Sequence, residues 1–326
     1  MLKDRYSSGV KSRIIQLLLL CVCCSSCQRV VDDFEPNIVY YPNPMVVAAL
    51  PKAFPPLTAQ ECRSDWGKEL RVAYSVAKDQ DYYRAITAFK RALVFLPKAL
   101  RDRKLQIEYG IFHSYYLAYK YSDAIESYEG SSLSCGVDST FPAFRDLLLQ
   151  VWESYRKCGD DGRADQILQL LESECSLDAD KLKLSKSVID ADFPSMIQAG
   201  GAFPDRAGVD SLISQYSSQA KSPATARLYQ TILPGAGYWY VGQKKAAFTS
   251  LVINGLFIWA AYRFFETGNI AAGIVTASLE TGWYFGGING AGLAATEFNE
   301  RLYHTQGRDY LRQKSLFPIL MISTSF

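Results

Sequence analysis

The sequence predicts an all-α fold in two parts, helical repeats followed by a transmembrane helical hairpin, and three observations carry this. Residues 246–262 contain no charge, and residues 267–296 contain only Glu280. Each run approaches the roughly 20 residues a helix needs to cross about 30 Å of hydrocarbon. Between Trp66 and Leu168, alanine and aromatic positions return at a near-constant interval, as they do when one helix pair is used several times. Finally, 326 residues at 48% hydrophobic content and a mean hydropathy of −0.05 fit about two domains, with the membrane part in the minority.

The bulk chemistry excludes several classes. A net charge of +2, from 35 basic and 33 acidic residues, creates no field that would capture nucleic acid. The two histidines, His113 and His304, offer no paired metal motif, and no Ser/His/Asp order or cofactor loop is present. No catalytic residue, metal or cofactor is therefore expected.

Taken in order, the chain opens with Lys3, Arg5, Lys11 and Arg13, then an apolar run from Ile14 to Cys24. Basic, short apolar, then small is the order of a secretory signal, assigned to residues 1–26. At its end, Cys24-Ser25-Ser26-Cys27-Gln28 resembles the lipobox of bacterial lipoproteins, with Cys24 where that family usually has Leu. The resemblance implies that Cys27 is diacylglycerated; an ordinary cleaved signal or an uncleaved anchor is the alternative. Six prolines between residues 28 and 57 forbid a continuous helix, so residues 27–60 read as an extended, lipidated tether.

Residues 61–178 carry the repeat. Tyr82-x-x-Ala85-x-x-x-Phe89 aligns with Tyr121-x-x-Ala124-x-x-x-Tyr128 and with Asp161-x-x-Ala164-x-x-x-Leu168, and Val76, Tyr115 and Tyr155 stand nine residues before the alanines. Small residues let two helices approach, and the larger side chain four residues on shares their face. The pattern resembles tetratricopeptide repeats, although the alanines recur at 39 and then 40 residues, against about 34 in that family. The resemblance implies stacked helix pairs with a face suited to a protein or peptide partner. Tyrosines such as Tyr74, Tyr109 and Tyr116 either line that face or fill the core.

Cys62, Cys135, Cys158 and Cys175 would meet oxidising conditions after export, and four cysteines allow three pairings. Cys158 and Cys175, in neighbouring helices of one unit, are the first candidate disulfide; four free thiols are the alternative. Residues 179–224 read as a helical bridge, with a loop around Ala199-Gly200-Gly201 and an amphipathic helix over residues 210–221.

Residues 225–300 form the membrane hairpin domain. It opens on Leu233-Pro234-Gly235-Ala236-Gly237-Tyr238-Trp239-Tyr240-Val241-Gly242. Proline, glycines and aromatic rings together predict an interfacial turn against membrane lipid, built on Pro234, Gly235, Gly237, Tyr240 and Gly242. A phosphate loop is excluded, since no Gly-Lys-[Ser/Thr] follows. From about residue 221 to 301 the chain resembles a bacterial membrane domain of two transmembrane helices introduced by Leu-Pro-Gly-x-Gly-x-x-Tyr-x-Gly. That family occurs in envelope proteins of largely unknown function, and it brings no catalytic residue.

With the hairpin turning near Phe265, Glu266 and Thr267, Asn254 lies level with Glu280, and a hydrogen bond between them is expected to hold the carboxyl in lipid. The alternative makes Glu280 a proton or ion site of a membrane enzyme or transport component. Gly282, Gly286 and Gly290 lie on one helix face and predict close packing on the first helix, on another copy as a homo-oligomer, or on a different membrane protein. Residues 301–326 are a tail. Its Arg301, Arg308, Arg312 and Lys314 favour the cytoplasm, whereas the secretory start places the repeats outside it.

These readings combine into a non-enzymatic, membrane-anchored lipoprotein of the bacterial cell envelope. Its repeats, outside the cytoplasm, bind a protein partner, with envelope protein assembly as the process suggested by analogy.

Overall fold

The computed structural model describes residues 34, 38–202 and 205–326; they are mostly helical, with no strand among them. The signal segment and the acylation candidate Cys27 lie outside the described residues. The described residues divide into two compact units, one of residues 38–214 and 305–326, the other containing residues 215–304.

In the first unit, short helices α1 (Pro44–Ala48) and α2 (Ala59–Arg63) precede four helix pairs. The pairs are α3 (Asp65–Lys78) with α4 (Tyr82–Phe95), and α5 (Arg101–Leu117) with α6 (Tyr121–Glu129). After the short α7 (Leu133–Gly136) come α8 (Phe144–Lys157) with α9 (Asp161–Glu174), then α10 (Ser176–Ile189) with α11 (Phe193–Ala202). One turn makes all four. After each first helix a residue takes the left-handed conformation: Gln80, Tyr119, Gly159 and Ala191, at φ of 65°, 57°, 77° and 55°. The next residue (Asp81, Lys120, Asp160 or Asp192) donates its N–H back to Val76, Tyr115, Tyr155 or Ser187. This six-to-one bond closes the first helix and lets the second begin at once.

The aligned alanines Ala85, Ala124 and Ala164 are all fully buried, each at the same point of a second helix. Val76, Tyr115 and Tyr155, nine residues earlier, supply the carbonyls of the turn. The fourth pair extends the repetition past residue 178, into the stretch expected to be a bridge. Its alanine position holds the buried Met196, and the interval shortens, which is why the sequence pattern fades. The expected loop at residues 199–201 is helix instead. Gly200 serves packing there, because a Cβ would stand 2.8 Å from Cγ2 of Val209 on α12 (Arg206–Gln219).

Residues 38–57 are no free tether. Ile38 and Val47 are buried, Phe54 packs on Tyr109 and Phe141, and Arg103 donates to the carbonyls of Pro55 and Pro56. Apolar side chains at a few positions outweigh the extended bias of the prolines, and Pro44 itself starts α1 behind the Asn43 cap.

The second unit contains α13 (Pro223–Ile232), α14 (Ala236–Val241), α15 (Lys244–Glu266) and most of α16 (Ile270–Gln313). Its small core joins Ala226, Val241, Ala291, Ala294 and Ala295. Among the described residues α15 is the one helix long and apolar enough to cross a membrane, with 17% of its apolar window buried. The second apolar run does not meet that test. It is the first part of a 44-residue helix in which Glu280, Trp283, Tyr284 and several glycines lower the hydropathy. Residues 267–269 link the two helices, with Gly268 left-handed at φ 76°.

Candidate functional site

The residues that follow α16, expected as a tail, belong to the interior of the first unit. The short α17 (Pro318–Met321) is flanked by non-helical residues, and Leu316, Phe317, Ile319, Met321, Ile322 and Phe326 are all buried. The side chains that receive this segment come mainly from the first helix of each pair.

Arg145 and Asp146, in the first turn of α8, read its backbone. Arg145 is oriented by Asp178 on α10, whose two oxygens accept from Nε at 2.6 Å and Nη2 at 2.9 Å. Its remaining Nη1 donates to the carbonyl of Met321 at 2.8 Å and to Asp146 at 3.1 Å. Asp146, only 2% exposed, accepts the N–H groups of Ser323 (3.0 Å) and Thr324 (2.8 Å) and both hydroxyls. A buried carboxylate needs such donors, and the helix N-terminus adds a favourable field.

Phe326 enters an aromatic pocket. Its ring centroid lies 4.7 Å from His113, 6.0 Å from Phe89 and 6.2 Å from Tyr74, and it joins the core of Trp66, Leu70 and Ala73. Ser325 pairs with residues 51–52, donating its N–H to Pro51 at 2.9 Å. That neighbouring stretch is fixed by Arg103, which holds Glu61 at 2.9 Å through two nitrogens and also donates to Gln106. The Arg103 guanidinium lowers the Glu61 carboxyl to about 2. Gln106 passes the order on to the hydroxyl of Tyr74 at 2.8 Å, whose burial raises it to about 12. Burial also lowers His113 to about 4, against the opposing effects of Gln150 and Asp146.

The second unit places the other sequence candidates. Gly235 and Gly242 are left-handed, at φ 96° and 88°, and bracket α14, so the expected interfacial turn contains a short helix. A Cβ at Gly235 would stand 2.3 Å from the carbonyl oxygen of Ala247, and one at Gly237 2.3 Å from that of Ala226. Tyr240 accepts from the N–H of Ser222 at 3.1 Å, and Pro234 lies in the turn before α14. These residues tie the unit together internally. Asn299 adds a two-way bond to the backbone of Lys221, at 2.7 and 2.8 Å.

Three expectations need correction. Asn254 does not bond Glu280: its amide donates to the carbonyl of Ser250 at 2.6 Å, a turn earlier on its own helix. Asn254 Oδ1 and Glu280 Oε2 each lack a hydrogen-bond partner among the described residues. Level depth along two helices does not make two side chains face one another. On the glycine face, the expected packing on the first helix is absent at Gly282 and Gly286 among the described residues. A Cβ at Gly282 or Gly286 would meet open space, and only Gly290 is close-packed, 2.3 Å from the Tyr238 hydroxyl. Lastly, Cys158 and Cys175 are both free, as are Cys62 and Cys135. They stand at opposite ends of the 14-residue α9, about 21 Å of helix rise apart, whereas a disulfide needs Cα atoms within about 7 Å.

Sequence reasoning missed Arg145, Asp146 and Asp178, and Gln230 in the second unit. Gln230 donates to Ser250 at 2.9 Å and accepts from the N–H of Gly235 at 2.9 Å, joining the glycine turn to α15. One signal was readable: an Arg-Asp pair just before the apolar run from Leu147 to Leu149. Its partners Met321, Ser323 and Thr324, 176 or more residues away, were not.

No protein-family model matches this chain, and neither a curated protein nor a solved structure matches it.

Proposed function

We propose that this chain is a non-enzymatic, membrane-anchored protein of the bacterial cell envelope whose helical repeats, outside the cytoplasm, bind a protein partner. The helix pairs are taken as tetratricopeptide-like, and α15 with the first part of α16 as a hairpin in lipid. Envelope protein assembly is the process that suits this arrangement.

The observation that carries the binding role is the face of α3, α5 and α8, which holds a non-helical segment by its backbone. A surface built to satisfy the amides of one extended segment can satisfy those of another. The membrane role draws on exposure. Phe248, Leu256, Ile258, Trp259 and Tyr262 of α15 point outward, with Trp259 62% exposed. Ile270, Ile274, Leu279 and Phe285 of α16 do the same. Contiguous apolar surface of this extent marks an interaction with lipid or protein.

A photo-crosslinking residue at the exposed Lys78, beside the pocket of residues 52–57, tests the binding role in native membranes. A discrete protein adduct is expected; absence of any protein adduct at this and neighbouring positions overturns it. Alkaline extraction tests the membrane role, and release of the intact chain into the supernatant refutes it.

A further inference from the structure

Residues 321–326 present four features to the first unit, each with its own receiver. Met321 lies in the apolar cluster with Leu147, Leu148 and Leu149 and gives its carbonyl to Arg145. Ser323 and Thr324 give Asp146 two amides and two hydroxyls. Phe326 fills the pocket of Trp66, Phe89 and His113. Ser325 pairs with the backbone of residues 51–52. Most of this is main-chain recognition plus one aromatic anchor, the chemistry by which grooves take extended peptides. The receiving polar groups are organised from outside the segment. Asp178 sets Arg145, and the Glu61, Arg103, Gln106 and Tyr74 series sets the wall beside Phe326.

We infer that this face is a site for a peptide segment that leaves a helical turn at an apolar residue and then runs extended, with two consecutive hydroxyl residues two positions on and an aromatic residue two positions after those. Residues 321–326 are its built-in occupant. A partner of the same pattern binds by displacing them, so the free site is a minor state and apparent affinity falls by the fraction of time it is open. The inference rests on the protein-binding reading above and adds the chemistry of the partner.

The test uses the full chain in detergent and a fluorescent synthetic peptide of residues 315–326, followed by anisotropy. Weakening the internal occupant with Phe326→Ala, or separately with Ser323→Ala/Thr324→Ala, should tighten binding of the wild-type peptide by about tenfold or more. Combining either change with Asp146→Asn should weaken it by about tenfold, because the charged acceptor for the peptide amides is gone. A peptide with alanine at the position of Phe326 should bind at least about tenfold more weakly than the wild-type peptide. Two occupant variants guard against misfolding, and each is checked by its circular-dichroism melt.

Failure of the peptide to bind either occupant variant overturns the inference, since the segment is then fixed core. Binding indifferent to Asp146→Asn overturns it too. Protein adducts at Lys78 that persist unchanged in Asp146→Asn would leave the protein-binding reading standing while this inference falls. Peptide binding without any protein adduct would overturn the protein-binding reading and, with it, the assignment of this site to a partner.

Discussion

Nδ1 of His113 lies 2.7 Å from Oε1 of Gln150, inside the first unit and away from solvent. Gln150 donates its own amide to the Tyr109 hydroxyl at 3.1 Å and turns its carbonyl oxygen to the imidazole, an arrangement in which Nδ1 carries the proton. His113 is thus a neutral donor, and its Nε2 finds no hydrogen-bond partner among the described residues. The ring stacks on Tyr109 and forms the wall of the Phe326 pocket.

Stability should therefore fall in mild acid. The folded state holds His113 near 4, below the 6.5 of the unfolded chain, chiefly through burial. The unfolded state gains its proton first, so this contribution is intact above about pH 6.5, is lost as pH falls towards 4, and is flat below. The loss amounts to roughly 3 kcal/mol at most, at about 1.4 kcal/mol per pH unit. Urea unfolding at pH 7 and pH 5 checks this. The fall should be smaller in His113→Asn, and an equal fall in both proteins contradicts it.

Arg145→Ala should destabilise the first unit by about 2 kcal/mol, since it strips Asp178 of two hydrogen bonds and Met321 of one. Arg145→Lys should recover little, because an ammonium cannot reproduce the planar fork that grips both oxygens. Asp178→Ala combined with Arg145→Ala should cost less than the sum of the two. Strict additivity in denaturant melts would refute this coupling.

The repeated turn offers a gain. Ala191 is left-handed at φ 55°, where a Cβ costs about 1 kcal/mol, so Ala191→Gly should stabilise by up to about that amount. Gly159, in the equivalent turn, should lose a similar amount on change to Ala. A lower melting temperature for Ala191→Gly would be the contrary result.

In the second unit the glycines should divide into two classes. Gly235→Ala and Gly237→Ala place a methyl 2.3 Å from a backbone oxygen, so both should expose the unit to protease in membranes. Gly282→Ala and Gly286→Ala enter open space and should leave protease resistance unchanged. Equal sensitivity in all four would be evidence against this packing.

The four free thiols should remain free. Mass spectrometry after maleimide labelling without reductant should find Cys158 and Cys175 both labelled. A covalent link between their peptides would contradict the helix that separates them.

The residue order alone determined the helical class, the repeated alanines and the position of the long apolar helix. Each depends on neighbours within one or two turns, and helical spacing records such neighbours directly. It also marked the glycines at residues 235 and 237, because a turn that admits no Cβ shows itself as glycine. Tertiary structure alone decided that a fourth pair continues the repeat around Met196, and that Asn254 turns to Ser250 instead of Glu280. It also placed the closing residues of the chain in the grip of Arg145 and Asp146. That grip joins residues 176 to 178 positions apart, and side-chain direction and burial of donors settle it and the Asn254 bond alike. A linear pattern of residue types carries neither of those quantities across such distances.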